Sequence, residues 1–278
     1  MNIIDKSPPS VPIKKIKKEI KVKKSQMDLR WEHILKQIDF DPKCEERKIT
    51  SAEIKAARTT WNGTPYQFEP RNLCKQDTAE SRPHIFKKHG ICILSIKNGH
   101  YILTKKNIYV PLHKTPGTET IKIKKIHKSC LLDIGNSETS LLDNLRYDGI
   151  LESDKLIGEK IIYGPLLGGR HYCHFKATLE NTEIEINGSQ YETDACYESE
   201  NGVCIIEIKS IDVRSFNIRQ LYYPYREVYD KATASGKKIM CLFIYKDKQK
   251  MIHIHKFEWT DHLKMMAIKQ VAYFRYQY

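Results

Sequence analysis

The residues whose types and spacing point most directly to chemistry are Asp194, Glu207 and Lys209, in the segment QYETDACYESENGVCIIEIKS at 190 to 210. Alternate residues of a strand share a face, so Glu207 and Lys209 project together while Ile206 and Ile208 face the other way. Asn201-Gly202 upstream predicts a hairpin turn. If those two residues are the whole loop, Asp194 lies opposite Lys209, whereas a four-residue loop sets Asp194 opposite Glu207. In either register the three side chains share one face, and only an odd-length loop or a bulge separates them. Two carboxylates and a lysine meeting at a strand end suit a hard divalent cation such as Mg²⁺, which prefers oxygen ligands and keeps several waters. Such an ion lowers the pKa of a bound water and offsets the charge that builds on a phosphoryl group. Lys209 is then available to orient or deprotonate that water, or to stabilise a pentavalent phosphate. The competing reading is a cross-strand charge ladder on a solvated face, with Asp194 pairing Lys209 for about 0.2 to 1 kcal/mol.

Asp194 followed by Glu207-Ile208-Lys209 in a strand-turn-strand setting resembles the PD-(D/E)XK nuclease superfamily, and within it the type II restriction endonucleases. The resemblance implies that Asp194 and Glu207 hold Mg²⁺, that Lys209 assists the attacking water, and that a further acid comes from a preceding helix. Glu138 in GNSETSLLDNL best matches that acid, to order the site or hold a second ion, and Gln220 in FNIRQLYYPYR matches the Gln that many relatives carry on the following helix. Thr193 stands where the motif has Pro, and Pro224 departs from the Tyr spacing of the RecB-like branch. The core resemblance covers about residues 130 to 250, and the stretch from Tyr66 to Leu103 also looks like the leading part of some restriction enzymes. It implies sequence-specific hydrolysis of double-stranded DNA leaving 5′-phosphate and 3′-hydroxyl ends. Cutting both strands with one site per chain calls for two copies, hence a homodimer. The alternatives are a repair or recombination nuclease of the same fold, and a basic DNA-binding protein that does not cut. Glu138 is equally a favourable partner for its helix dipole, Gln220 a surface residue, and Glu192, on the face of Asp194, a substitute ligand.

Other constellations carry less. His171, Cys173 and His174, and the same-face pair His253 and His255, lack an acidic or Cys partner at metal-site spacing. HYCHF lacks the continuation of an HNH nuclease, and Gly168-Gly169 does not begin a phosphate loop. Tyr222, Tyr223, Tyr225 and Tyr229 read as packing against a sheet rather than as a base-stacking platform.

The elements that must position these residues follow from pattern. A helix is expected from Met27 to Asp39, another from Thr50 or Ser51, a short one in RPHIFKKHG, and a hairpin about Asn98-Gly99. This order would also suit a winged-helix-like module. Ser137 caps a helix through Leu145, followed by three β-rich segments near 170–178, 182–197 and 203–210. A helix kinked or divided at Pro224, a strand pair around 247–249 and a closing helix from Asp261 complete the chain. The expectation is an α/β fold: a restriction-endonuclease-like core, a mixed central sheet flanked by helices, behind a mostly helical N-terminal region containing a β-hairpin. The expected division is a basic flexible arm over 1–26, a DNA-contacting region over 27–125 and the nuclease core over 126–278.

Composition agrees with that assignment without proving it. Forty-seven Lys and Arg against 34 Asp and Glu, a net charge of +13 over 278 residues, favour polyanionic partners. Lysines 6 to 24 read as either a solubilising tail or a salt-sensitive phosphate clamp. No apolar run approaches the roughly 18 to 20 residues of a membrane span, and no secretory h-region begins the chain. The eight cysteines stand singly, several inside apolar runs, and read as reduced core residues of a cytoplasmic protein, while the resemblance to restriction enzymes implies a microbial or viral origin.

Overall fold

The computed structural model describes residues 24–62, 68–125 and 137–278. The basic arm expected over 1–26 lies outside them as far as residue 23, as does Cys130. The first unit begins with α1 (Gln26–Gln37), started by a capping box in which the side chains of Ser25 and Asp28 answer each other's backbone N–H groups. Next come β1 (Glu46–Thr50) and α2 (Ser51–Ala56), whose cap is Thr50 with Glu53. Two short helices follow, α3 (Pro70–Cys74) and α4 (His84–His89), the latter ended by Gly90 at φ 66°. The hairpin at Asn98-Gly99 forms as the sequence indicates, joining β2 (Cys92–Lys97) to β3 (His100–Thr104). A third strand, β1, pairs antiparallel with β3, so the unit is a three-stranded sheet whose apolar side closes on Trp31, Ile34, Ile54 and Phe86.

The remaining strands are β4 (Tyr109–Pro111), β5 (Thr120–Lys122), β6 (Ile161–Leu166), β7 (His171–Leu179), β8 (Thr182–Tyr191), β9 (Ala195–Ser199), β10 (Gly202–Lys209), β11 (Ser215–Asn217), β12 (Lys238–Lys246), β13 (Ile252–Trp259) and β14 (Ile268–Gln277). Two helices accompany them, α5 (Glu138–Tyr147), capped by Ser137, and α6 (Arg219–Ala234). Seven strands form one mixed sheet in the order β5-β14-β13-β12-β10-β9-β6. β6, β9 and β10 run antiparallel, and α6 carries the chain over to β12, which lies parallel to β10. The order α5, β6, β9, β10, α6, β12 is that of a mixed sheet flanked by helices, with the β7–β8 hairpin inserted between β6 and β9.

Strand alternation divides the sheet's side chains between two cores. Cys204, Ile206, Ile208, Leu242 and Ile244 pack with the α5 residues Leu141, Leu142 and Leu145. Ile205, Cys241, Phe243 and Tyr245 pack with Leu221, Tyr222 and Tyr223 of α6, with the β7–β8 hairpin, and with Leu94 and Ile102 of the first unit. The tyrosines of α6 are thus packing residues, as expected: Tyr225 stacks on Trp259 and Phe175 sets its edge against Tyr222 and Tyr223. The seven described cysteines are free, five of them buried.

Four expectations change. The closing segment is the strand β14 rather than a helix, because its aromatic run Tyr273-Phe274-Arg275-Tyr276 favours extended chain and pairs along β13. α6 runs unbroken through Pro224, which sits near its start and removes a single intrahelical donor. The β-rich segment 182–197 is two strands, interrupted at Glu192-Thr193-Asp194. Residues 109–122, expected with the N-terminal region, pair instead with β11 and β14, so the chain changes sheet between 104 and 109 rather than near 125.

Candidate active site at the end of β10

The register that brings the candidate residues together is set at the β9–β10 turn. The last pair is Glu198 with Val203, leaving Ser199 to Gly202 as a four-residue connection. Glu159 pins this turn, accepting from the Ser199 hydroxyl at 2.5 Å, from the Asn201 backbone at 3.1 Å and from the Asn201 amide at 3.0 Å. Of the two registers the sequence allows, this is the one that carries Asp194 toward Glu207, and Asp194 Oδ2 accepts from the Ile208 backbone N–H at 2.7 Å.

Four further hydrogen bonds assemble the site. Lys209 Nζ donates to Glu207 Oε1 at 2.5 Å, and Gln220 Nε2, on the first turn of α6, donates to the same oxygen at 2.5 Å. The Gln220 carbonyl is itself held by the Asn217 N–H at 3.3 Å, which fixes the amide orientation. Glu138, the first residue of α5, accepts from the Ser210 backbone N–H at 3.1 Å. Side chains from the 192–194 junction, β10, α5 and α6 therefore line one cleft of about 360 Å³ that holds all five candidates.

Burial governs the electrostatics. Glu207 is 6% exposed, and desolvation pushes its carboxyl up to about 7, with Lys209 drawing it down and Asp194 adding to the rise. Desolvation also raises Asp194, against the pull of the Ile208 N–H and Lys209. Burial acts against the Lys209 charge, but attraction to Glu207, reinforced by their hydrogen bond, outweighs it and holds the ammonium protonated above its ordinary range. A lysine so held is a fixed cation and an orienting donor, not a proton acceptor.

The donor set fits a hard divalent cation. Asp194 and Glu207 are oxygen donors lining the same cleft, and burial raises both carboxyls, so a cation bound there would favour their ionised forms. Among the described residues no group of three or more His, Cys, Asp or Glu side chains is placed to hold a metal ion. That leaves the open, two-carboxylate manner in which Mg²⁺ is commonly held together with substrate phosphates.

The first unit contributes to the cleft through Arg71, Lys75, Asp77, Ser95 and Tyr101, none of which the sequence singled out. They lie more than 90 residues before Asp194, and only the chain's folding back joins them to it. Asp77 pairs with Arg219 at 3.3 Å and Lys75 at 3.6 Å. Glu192 lines the cleft too, but its carboxylate is engaged by Arg71, Arg170 and Gln190. The histidine constellations separate. His171 meets the Gly168 carbonyl and His174 the Asn187 amide, while the Cys173 thiol is buried. His253 does have an acidic partner that local spacing concealed: Asp247, in the turn before β13, at 2.9 Å.

Fold and site together define a mixed α/β protein with a carboxylate-lysine cleft at the end of the central hairpin. Over residues 104–277 the chain matches the family described as Domain of unknown function (DUF6997), and it belongs to that family. Residues 28–103 match a second family model, Domain of unknown function (DUF6996), so the two matches meet where the chain leaves β3. No curated protein and no solved structure matches the chain. Among the described residues no helix is long and apolar enough to cross a membrane.

Proposed function

We propose that this protein is a Mg²⁺-dependent endonuclease of the PD-(D/E)XK class that cuts double-stranded DNA in the manner of a type II restriction enzyme. The observation that carries this reading is the convergence of Asp194, Glu207, Lys209, Gln220 and Glu138 on one cleft. Asp194 and Glu207 would hold the ion, with Glu138 ordering the end of β10 or serving a second ion. The ion when bound supplies an activated water and charge neutralisation at the scissile phosphate. Lys209, kept cationic by Glu207, orients the attacking water and balances the pentavalent phosphate. Gln220 donates to the same Glu207 oxygen as Lys209, and the two donors together hold the carboxylate in one orientation. The net charge of +13 favours the polyanionic substrate, and two-strand cleavage with one site per chain favours a homodimer on DNA.

The test is incubation of the purified chain with unmethylated duplex plasmid in Mg²⁺, beside an EDTA control. Discrete metal-dependent fragments are expected. Cleavage confined to nicked, branched or single-stranded DNA would move the reading to a repair nuclease, and binding without cleavage in Mg²⁺ or Mn²⁺ would sink the enzymatic reading.

A further inference from the structure

Glu192 stands at the mouth of the cleft, two residues before Asp194, and one of its oxygens is the meeting point of donors from three segments. Arg71 of α3 approaches Oε1 at 3.6 Å, Arg170 in the β6–β7 connection donates from Nε at 3.2 Å, and Gln190 of β8 donates from Nε2 at 3.2 Å. Two guanidinium groups converging on one anion are arranged as they would be around a phosphate, which arginine recognises as readily as a carboxylate. The side chains are 61% exposed at Arg71, 58% at Arg170 and 47% at Glu192, and ion pairs in such surroundings contribute little, so the carboxylate is readily exchanged for another anion. Glu192 and Asp194 are two residues apart and line the same cleft, so an anion taking the place of the Glu192 carboxylate sits in the cleft that also holds Asp194.

We propose that Arg71 and Arg170 form a subsite for a DNA backbone phosphate, built jointly by the two family regions, and that Glu192 occupies it in the free protein and must swing away for DNA to bind. This inference rests on the nuclease reading of the same cleft and adds to it a residue that opposes binding.

The test is anisotropy of a short labelled duplex titrated with the full chain in EDTA. E192Q is expected to bind about two- to fivefold tighter, the scale of releasing one exposed ion pair. The R71Q/R170Q double variant binds more weakly, and its slope of log affinity against log salt falls by about 0.9 for each phosphate that the arginines no longer neutralise. Adding E192Q to that double variant then changes nothing, because no arginine remains to be released. A mere field effect of removing one negative charge would survive there, and E185Q, on the exposed side of β8 away from the cleft, gives its size. The subsite is overturned by no gain in E192Q, by a gain matching E185Q, or by a gain that persists without the arginines. Plasmid cleavage by the unmodified chain, run in parallel, separates the failures. Cutting without the E192Q effect removes the subsite alone, whereas neither cutting nor duplex binding removes both readings.

Discussion

Two polar pairs occupy the same two rows of the same sheet face and have different fates. Glu207 lies beside Phe243 and then His255, and Lys209 beside Tyr245 and then His253, so the two pairs are related by two strand spacings. Burial opposes charge in both, pushing the Glu207 carboxyl up to about 7 and the His255 imidazole down to about 4. The histidines answer by staying neutral and packed. His253 is bonded to the Tyr273 hydroxyl at 2.7 Å and to Asp247, His255 to the Gln270 amide at 3.1 Å, and Tyr245 stacks on His253. Glu207 and Lys209 instead keep opposite charges against each other at the wall of a cleft, with Asp194 alongside. One backbone position type thus yields a packed neutral pair or an ion pair at a cleft wall according to whether neighbouring charges and an opening are present.

If the proposed function holds, the largest effect expected of this difference is on cleavage by Lys209→Ala, which removes the cation proposed to balance the scissile phosphate. The rate should fall about 10²- to 10³-fold with duplex binding in EDTA little changed, measured by single-turnover cleavage. A Lys209→Ala protein that cuts at the normal rate would reduce the pair to a charge ladder.

His253→Leu should do the reverse. It leaves Asp247 and Tyr273 without their partner and should cost about 1 to 3 kcal/mol in chemical denaturation, while the rate stays within about twofold of the parent. Loss of cleavage without loss of stability would make the histidine pair part of the chemistry.

Protons should distinguish the pairs next. Ion binding needs Glu207 ionised, so cleavage should drop about tenfold per pH unit below about 7, and a profile flat from pH 8 to pH 5.5 would exclude Glu207 as a ligand. His255 works through stability instead. Its folded value is depressed from 6.5 to about 4, so its contribution is whole above 6.5 and is lost as pH falls toward 4. His255→Phe should flatten the acid limb of stability in that window, read from thermal melts.

The smallest effect is expected of Gln220→Ala, which removes one of the two donors to Glu207 Oε1 and leaves Lys209 on that oxygen. Metal affinity or rate should fall about tenfold, and Gln220→Glu, which puts a second negative charge beside that oxygen, should be worse. Equal effects of the two would show that Gln220 only packs.

Much of the site was legible because the responsible interactions are local. The alternation of Ile206, Glu207, Ile208 and Lys209 dictates which side chains share a face, Asn201-Gly202 marks the turn, and Ser137 starts the helix that carries Glu138. The tip of the hairpin was not legible, since two registers differ only in which residues close the turn, and the choice is held by Glu159, forty residues upstream of Ser199. The closing segment failed for a related reason. Its pattern admits helix or strand, and the open edge of β13 decides for the strand.

The sequence by itself determined the chemical types available, an acid pair, a lysine, a glutamine and an excess of positive charge, and the local elements that carry them. Only the tertiary structure decided that these side chains meet, that burial pushes the Glu207 carboxyl up to about 7, and that Arg71 and Lys75 of the first unit reach the same cleft. The physical reason is range. Propensity and alternation act over a few residues, whereas desolvation and charge pairing depend on what the rest of the chain packs around each group.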